Sequence, residues 1–445
     1  ESLRPTPELS FAVRYLKCAG GIMITASHNP KEHNGYKVYD DTGCQLLPEA
    51  ADQVVQYVNE VEDELNIKVF SDEEAYPYMT WIGEEVDEAY YKEVMAIEVN
   101  SGMDKSDFKI VFSPQHGTSN IAVRTCLTRL GYDLVPVLAQ CAPDPDFSNT
   151  KSPNPEVPAS YELAIKKAKE VDADVVVITD PDGDRLGVVA KHNGEYVLMS
   201  GNQSAAVYLE YILSQMKEKG TLPDNAVMYN TIVTSDLGEL VARSYGVDVE
   251  KTLTGFKFIG DKIRKYEQTH EKTFVFGYEE SYGCVIKDFV RDKDAVQAVL
   301  TAAEAGNFYK KQGKDLVDVL NELYAKHGTF KETQIALSKA GAAGAARIKE
   351  IMDNLRKDAP QEIGGVKVVK VEDYGNSTCS DGTTIQLPKS NVLKYYLEDG
   401  SWIAARPSGT EPKCKFYFSI KGSDADDAAS KTEVFHKAMM EIIGE

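Results

Sequence analysis

The sequence predicts an α/β protein of several domains, and three observations carry that expectation. At 445 residues the chain is too long for a single hydrophobic core. Five times a short apolar run passes at once into a polar loop: GIMIT into ASHNP, KIVFS into PQHG, DVVVIT into DPDGDR, TFVF into GYEESYG, and WIAA into RPSGTEPK. Between these runs lie stretches with helical periodicity, and alternation of strand and helix is the signature of α/β architecture.

The elements follow in order. TPELSFAVRYLKCAGG (6–21) reads as a helix with Thr6 as N-cap, Pro7 at the first position, Leu9, Ala12, Val13 and Leu16 on one face, and Gly20 and Gly21 closing it. A core helix at the start, with no strand before it, suggests that upstream residues are absent. The continuous Val, Ile and Phe runs predict strands buried on both faces, as in parallel sheets covered by helices. Helices are expected over 48–65, 162–171, 202–220 and 236–246. Breaks near 100–107, 200–203 and 325–345, where KAGAAGAA is the loosest stretch, divide the chain into 1–100, 101–201, 202–328 and 329–445. GVKVVKVEDYG and CKFYFSI make the last part read as α+β with antiparallel pairing.

Charge and cysteine usage exclude whole classes of function. Lys and Arg number 49 against 70 Asp and Glu, a net charge of −21, which opposes binding to nucleic acid or to an acidic membrane. An anionic small substrate must therefore meet a local cluster of cations. No run has the length of a membrane span and no signal peptide is legible. Seven scattered cysteines without a Cys-x-x-Cys pair favour reduced thiols, a cytoplasmic location and no zinc.

Sheets of this kind bind ligands beyond the carboxyl ends of their strands, so the loops hold the chemistry. In TDPDGDRLG, Asp180, Asp182 and Asp184 stand at i, i+2 and i+4 just past a strand, and Gly183 lets the chain curl around what they hold. Three hard oxygens with no His or Cys suit Mg²⁺, although Asp, Pro and Gly also make ordinary turns. Arg406, Ser408, the Gly409 amide and Thr410 in RPSGTEPK form a fork of donors with the composition of a phosphate clamp, or else an exposed hairpin turn. Glu279 and Ser281 in GYEESYG could hold sugar hydroxyls, or form a solvated acidic turn. Ser27 and His28 occupy a strand end before the Asn29-Pro30 break, and an Asn34-Gly35 turn could fold Lys37 back onto them. His116 and Lys257 are cleft candidates by position alone.

Taken in this order, TASHNP, DPDGDR, GYEES and RPSGTEP resemble the α-D-phosphohexomutase superfamily, and TGFKFIG, GYEESYG and FVRDKDA resemble its bacterial phosphoglucomutase branch, which is related to the phosphopentomutases and phosphomannomutases. The motifs span residues 25 to 413, nearly the whole chain. The resemblance implies three similar α/β domains with mixed sheets and a smaller C-terminal α+β domain around a central cleft, the first domain lacking its opening strand. It implies Ser27 as the phosphorylated nucleophile, with Asp180, Asp182, Asp184 and the Ser27 phosphate as Mg²⁺ ligands. Lys37 falls on a general acid/base position that would need a pKa lowered by neighbouring cations. Glu279 and Ser281 fall on sugar contacts, and Arg406, Ser408, Gly409 and Thr410 on the clamp for the non-reacting phosphate. Arg185, His28 and Lys257 would support them.

The implied reaction interconverts glucose 1-phosphate and glucose 6-phosphate through glucose 1,6-bisphosphate, in a monomer or weak homo-oligomer whose partners are sugar phosphates. Closing of the last domain over the substrate would accompany it. The alternatives are a mannose, glucosamine or pentose phosphate as substrate, a phosphatase with an Asp nucleophile, or a fragment that binds sugar phosphates without isomerising them.

Overall fold

The computed structural model describes residues 2–409 and 411–445, so Thr410 of the expected clamp lies outside the described residues. The chain divides into two compact units, residues 1–230 with 255–318, and residues 231–254 with 319–445.

The first unit opens with α1 (Thr6–Tyr15), whose buried residues include Phe11, Ala12 and Val13. Two details of the expected helix are corrected. Pro5, not Thr6, is the N-cap, because the Thr6 hydroxyl is drawn to Asp182 at 3.3 Å, a partner 176 residues away. Leu16 is the C-cap and 38% exposed. Next come β1 (Gly20–Ile24) and β2 (Tyr36–Asp40), an antiparallel pair that aligns Met23 with Lys37. The expectation that GIMIT is buried on both faces fails here: Ile22 and Ile24 are 62% and 66% exposed. Only one face of β1 meets α1, where Gly21 lies so close to Val13 that a Cβ would sit 2.7 Å from its Cγ2.

Then follow α2 (Pro48–Asn59), the single turn α3 (Asp72–Ala75) and α4 (Glu84–Met95). The helix expected to reach residue 65 ends at Asn59, and none of its residues is buried. Glu60, Glu62, Asp63 and Glu64 sit where the negative end of the helix dipole repels them.

The sheet that carries the acidic loop is built from β3 (Lys109–Ser113), β4 (Asp133–Pro136), β5 (Val175–Thr179), β6 (Leu186–His192) and β7 (Glu195–Met199), with α5 (Asn120–Arg129) and α6 (Glu162–Val171) in the connections. Its order is β4-β3-β5-β6-β7, parallel on both sides of β3 and antiparallel from β5 onward. All five residues of β5 are buried, as the apolar run predicts. Ala164, Ala168 and Tyr161 pack on Val111, Val176, Ile178 and Val189, and each fully buried aliphatic side chain contributes roughly 1.5–3 kcal/mol.

The chain continues through α7 (Gly201–Glu218), closed at its start by a Ser200/Gln203 capping box, into β8 (Ala226–Thr231). After α8 (Asp236–Ser244) and β9 (Asp248–Thr252) it returns with α9 (Phe256–Thr269), β10 (Thr273–Tyr278), β11 (Cys284–Val285) and α10 (Ala295–Lys310). β10 runs parallel to β8 and antiparallel to β11.

After α11 (Leu316–His327), the second unit contributes β12 (Thr329–Ser338), α12 (Gly341–Lys357), β13 (Glu362–Ile363), β14 (Val366–Asp373), β15 (Thr378–Cys379), β16 (Leu393–Leu397), β17 (Trp402–Pro407), β18 (Lys413–Gly422) and α13 (Ala425–Ile443). The sheet order β12-β18-β17-β16-β14-β13 is antiparallel, the expected α+β arrangement. Ile351 and Leu355 of α12 and Phe435 and Met439 of α13 join Tyr395, Ile403, Phe416 and Phe418 in one core. KAGAAGAA is not a loose break: it leads into α12, because alanine's helix propensity outweighs the glycines once Ile348, Ile351 and Leu355 bury one face.

One buried charge in this unit gives a pH signature. Lys394 is wholly buried, donates to the Ile232 carbonyl at 2.8 Å and lies 3.8 Å from the centroid of the Trp402 ring. Burial first, then Lys251, push its pKa down to about 7, against Asp236, Glu239 and Glu372. An unfolded chain with an ordinary lysine binds the extra proton between that value and 10.5, so Lys394 makes the protein more stable as pH rises through this window. Lys394→Met should flatten the rise of Tm relative to the unsubstituted chain between about pH 7 and pH 10, read by thermal melts at matched ionic strength.

Candidate active site

Ser27 lies just beyond β1 with φ of 54°, a left-handed conformation that costs a serine free energy and marks a loop held by its surroundings. Its amide donates to Thr25 Oγ1 at 2.8 Å, and Thr25 Oγ1 in turn donates to Asp182 Oδ2 at 3.1 Å. The Ser27 hydroxyl therefore sits 3.0 Å from Asp180 Oδ2, 3.1 Å from Asp182 Oδ1 and 3.1 Å from His28 Nδ1. Burial, reinforced by Arg185, pushes the His28 pKa down to about 4, so this ring is neutral at pH 7.

The three aspartates converge by a turn rather than along a strand. Gly183 has φ of +73°, the Asp180 carboxylate accepts from the amides of Asp184 at 3.0 Å and Arg185 at 2.9 Å, and the ligand atoms of all three side chains fall within 4.8 Å of one another. All three are buried. Burial and mutual repulsion raise the pKa of Asp180 and carry Asp182 up to about 7. Burial acts the same way on Asp184, but Lys293, Lys37 and Arg185 outweigh it and hold that group ionised. Asp184 Oδ1 is buried without a hydrogen-bond partner among the described residues. Three crowded hard oxygens, one of them unpaired, fit a small divalent cation.

Lys37 arrives from β2. The Met23–Lys37 register carries its ammonium to 3.0 Å from Asp182 Oδ2 and 2.8 Å from Asp184 Oδ2. The expectation that cations lower its pKa is corrected: burial alone would lower it, but Asp184 and Asp182 raise it well above the ordinary lysine value. Arg185 donates to Glu156 Oε1 at 2.7 Å.

Glu279 is buried, and its Oε1 accepts from the Gly255 amide at 2.7 Å, fixing the TGFKFIG loop at the start of α9. That loop carries Lys257, whose pKa burial lowers. Ser281 is half-buried in the same GYEESYG turn, which is stitched to the acidic loop by a bond from the Leu186 amide to the Tyr282 carbonyl. The structure thus brings Ser27, His28, Lys37, the three aspartates and Arg185 together, with the Glu279 turn attached. In the second unit Arg406 ends β17, its guanidinium 3.4 Å from the Tyr417 hydroxyl. Ser408 and Gly409 begin the tight β17–β18 connection, where the Ser408 amide donates to the Lys413 carbonyl.

Several contributors escape a reading of the sequence. Lys293, buried, places Nζ 3.3 Å from Asp184 Oδ2 across 109 positions of sequence, and its only signal is the run FVRDKDA. Thr6 and Thr25 both donate to Asp182 Oδ2. Gly117 supports the acidic loop from β3: its neighbour Thr118 donates its amide to the Pro181 carbonyl, and a Cβ at 117 would stand 2.5 Å from Pro181 Cα. Gly117→Ala should therefore cost about 1–3 kcal/mol of stability by overpacking, seen as a lowered Tm, and should reduce activity with it.

Models of the phosphoglucomutase/phosphomannomutase family match four stretches: alpha/beta/alpha domain I over residues 1–65, domain II over 88–194, domain III over 200–327, and the C-terminal domain over 345–437. Proteins named phosphoglucomutase from Staphylococcus epidermidis and Staphylococcus aureus are each 39% identical, over 97% of this chain and 79% and 78% of theirs. Among solved structures, a putative phosphomannomutase from Thermus thermophilus superposes with a TM-score of 0.72 at 21% identity, covering 100% of this chain and 83% of that one. The Paramecium phosphoglucomutase parafusin gives 0.71 at 20%, covering 99% and 82%. An Aspergillus fumigatus N-acetylphosphoglucosamine mutase, solved with GlcNAc-6P and magnesium, gives 0.56 at 14%, covering 99% and 92%. At these identities the structural likenesses show the fold alone.

Proposed function

The chain belongs to the phosphoglucomutase/phosphomannomutase family and is a phosphohexomutase, an isomerase, and on that premise we propose that it interconverts α-D-glucose 1-phosphate and glucose 6-phosphate through phosphoserine 27 and a glucose 1,6-bisphosphate intermediate. One observation carries the reading: the Ser27 hydroxyl stands within 3.1 Å of two members of a buried three-aspartate cluster. A hydroxyl there has no structural need of three carboxylates, whereas a phosphoserine beside a metal site does. The four domains of the family are then taken as 1–100, 101–201, 202–328 and 329–445; the four family matches follow in the same order, with the domain II match beginning earlier, at residue 88.

Asp180, Asp182 and Asp184 would hold Mg²⁺ together with the Ser27 phosphate. Bound there, the ion would neutralise charge developing on the phosphoryl group as it passes through a loose transition state. The left-handed backbone at Ser27 aims the hydroxyl, and its bond to Thr25 keeps it aimed. Neutral His28 holds the serine oxygen by hydrogen bonding. Lys37 carries a proton, so it enters as donor; it can accept the proton of the attacking sugar hydroxyl only when Asp182 and Asp184 have another cation to neutralise. Glu279 and Ser281 would read the sugar, and the GYEESYG turn is the reason to place glucose before mannose, glucosamine or a pentose. Lys257 and Arg185 would assist in binding. Arg406, Ser408, Gly409 and Thr410 would grip the phosphate that is not reacting, and must accept it at either end of the sugar.

A coupled assay of glucose 6-phosphate formation from glucose 1-phosphate, primed with glucose 1,6-bisphosphate, tests the reading; no turnover with any hexose or pentose phosphate would reject it. Arg406→Ala should raise KM about tenfold or more, the loss of a charge-assisted clamp, while phosphorylation of Ser27 by the bisphosphate persists.

A further inference from the structure

A second group of metal-ligating side chains lies within the first unit, outside the acidic loop. His192 ends β6 at the tight turn into β7, and Asp315 and Asp318 stand at the start of α11. Asp315 Oδ2 is 2.9 Å and Asp318 Oδ1 3.8 Å from His192 Nδ1, and the three ligand atoms lie within 4.8 Å of one another. Among the described residues, only this group and that of Asp180, Asp182 and Asp184 bring three such atoms so close. Helix capping explains half of the arrangement. Asp315 Oδ1 accepts from the amides of Val317 at 2.8 Å and Asp318 at 3.0 Å, and Asp318 Oδ2 accepts from the Asp315 amide at 2.9 Å. Each carboxylate therefore uses one oxygen to close the helix start, which holds it rigidly. The other oxygen of each is turned to the imidazole. One hydrogen bond from the ring satisfies Asp315, whereas Asp318 Oδ1 at 3.8 Å is beyond hydrogen-bond reach. Among the described residues neither carboxylate pairs with a lysine or arginine, so two negative charges converge on a single ring nitrogen.

We propose that His192, Asp315 and Asp318 bind a divalent transition-metal ion such as zinc, which ties the β6–β7 turn to the start of α11. An imidazole with two carboxylates suits such an ion, whereas Mg²⁺ prefers a shell of oxygens alone. The cysteine pattern speaks against a zinc site of thiolates, and this one uses none. A tetrahedral ion with bonds of about 2.0–2.1 Å needs its ligand atoms about 3.3 Å apart. The separations of 2.9 and 3.8 Å bracket that spacing. All three side chains are half-buried, so an ion has a way in and water can complete its shell. Binding through Nδ1 puts the ring proton on Nε2, which lies 3.0 Å from the Asn193 side-chain amide. Once that amide turns over, its oxygen accepts the Nε2 proton and fixes the ring for the metal.

Titration calorimetry of the whole chain with zinc chloride, in excess Mg²⁺ and without any sugar phosphate, tests this independently of the mutase reading. The expected result is saturable binding of one zinc ion per chain that excess Mg²⁺ does not displace, with a Tm that rises as zinc is added. In His192→Gln, which leaves both helix-capping carboxylates in place, zinc affinity should fall about tenfold or more. Should that variant melt early, Asp318→Asn gives the same test, because its amide oxygen can still accept from the Asp315 amide while the charge facing the metal is lost; the same fall is expected. No saturable zinc binding, unchanged affinity in either folded variant, or displacement of the zinc by Mg²⁺ would each overturn the proposal.

Discussion

Ser27→Ala should abolish mutase turnover, lowering kcat by about 10⁴- to 10⁶-fold, the scale on which enzymes lose rate when a covalent nucleophile is removed. The Ser27 side chain is half-buried and its loss leaves no large cavity, so the melting temperature should change little. That contrast matters, because a fall in activity with an intact fold places the defect in the chemistry. The variant should still bind glucose 1,6-bisphosphate yet never accept its phosphate. A phosphatase working through an aspartate nucleophile would retain its hydrolytic activity in the same variant, so one assay of phosphate release separates the two chemistries.

Asp184→Asn should be nearly as damaging, lowering activity about 10²- to 10³-fold, the range measured when one preorganised electrostatic contact to a transition state is lost. Here the physical cause is a charge imbalance. Asp184 is the carboxylate that meets both Lys37 and Lys293, at 2.8 and 3.3 Å, so an amide leaves two ammonium groups with less negative charge between them. Mg²⁺ affinity should fall steeply, and excess Mg²⁺ should restore part of the rate, read as a rightward shift of the activation curve. Full activity in Asp184→Asn after exhaustive chelation would contradict the assignment of the three aspartates. Tm should fall as well, since removing one partner of a buried ion pair leaves an uncompensated charge.

How much of this was legible in the sequence depended on whether the deciding contacts were local. The run DVVVIT announced a wholly buried strand, and GVKVVKVEDYG an antiparallel one, because their patterns follow from the chain's own period. GIMIT looked the same and is not: an apolar run does not say how many neighbours the strand has, and among the described residues β1 pairs only with β2. Thr6 looked like a helix cap for a local reason, and lost that role to Asp182 for a long-range one. The Asp180, Asp182 and Asp184 spacing was visible, and so was the turn that returns Lys37 toward Ser27. The partners of Lys37 were not visible, and the sign of its pKa shift turned on them. Lys293 lay beyond reach for the same reason: its approach to Asp184 is made by folding, and no short-range pattern encodes it.

The most direct test of the account is mass spectrometry of the intact chain and its Ser27 peptide, before and after incubation with glucose 1,6-bisphosphate and Mg²⁺, followed by addition of glucose 6-phosphate. The account predicts one phosphate on Ser27 that is gained from the bisphosphate and lost to the monophosphate. Absence of phosphate on Ser27 under all three conditions, or a phosphate found instead on Asp180, would contradict it.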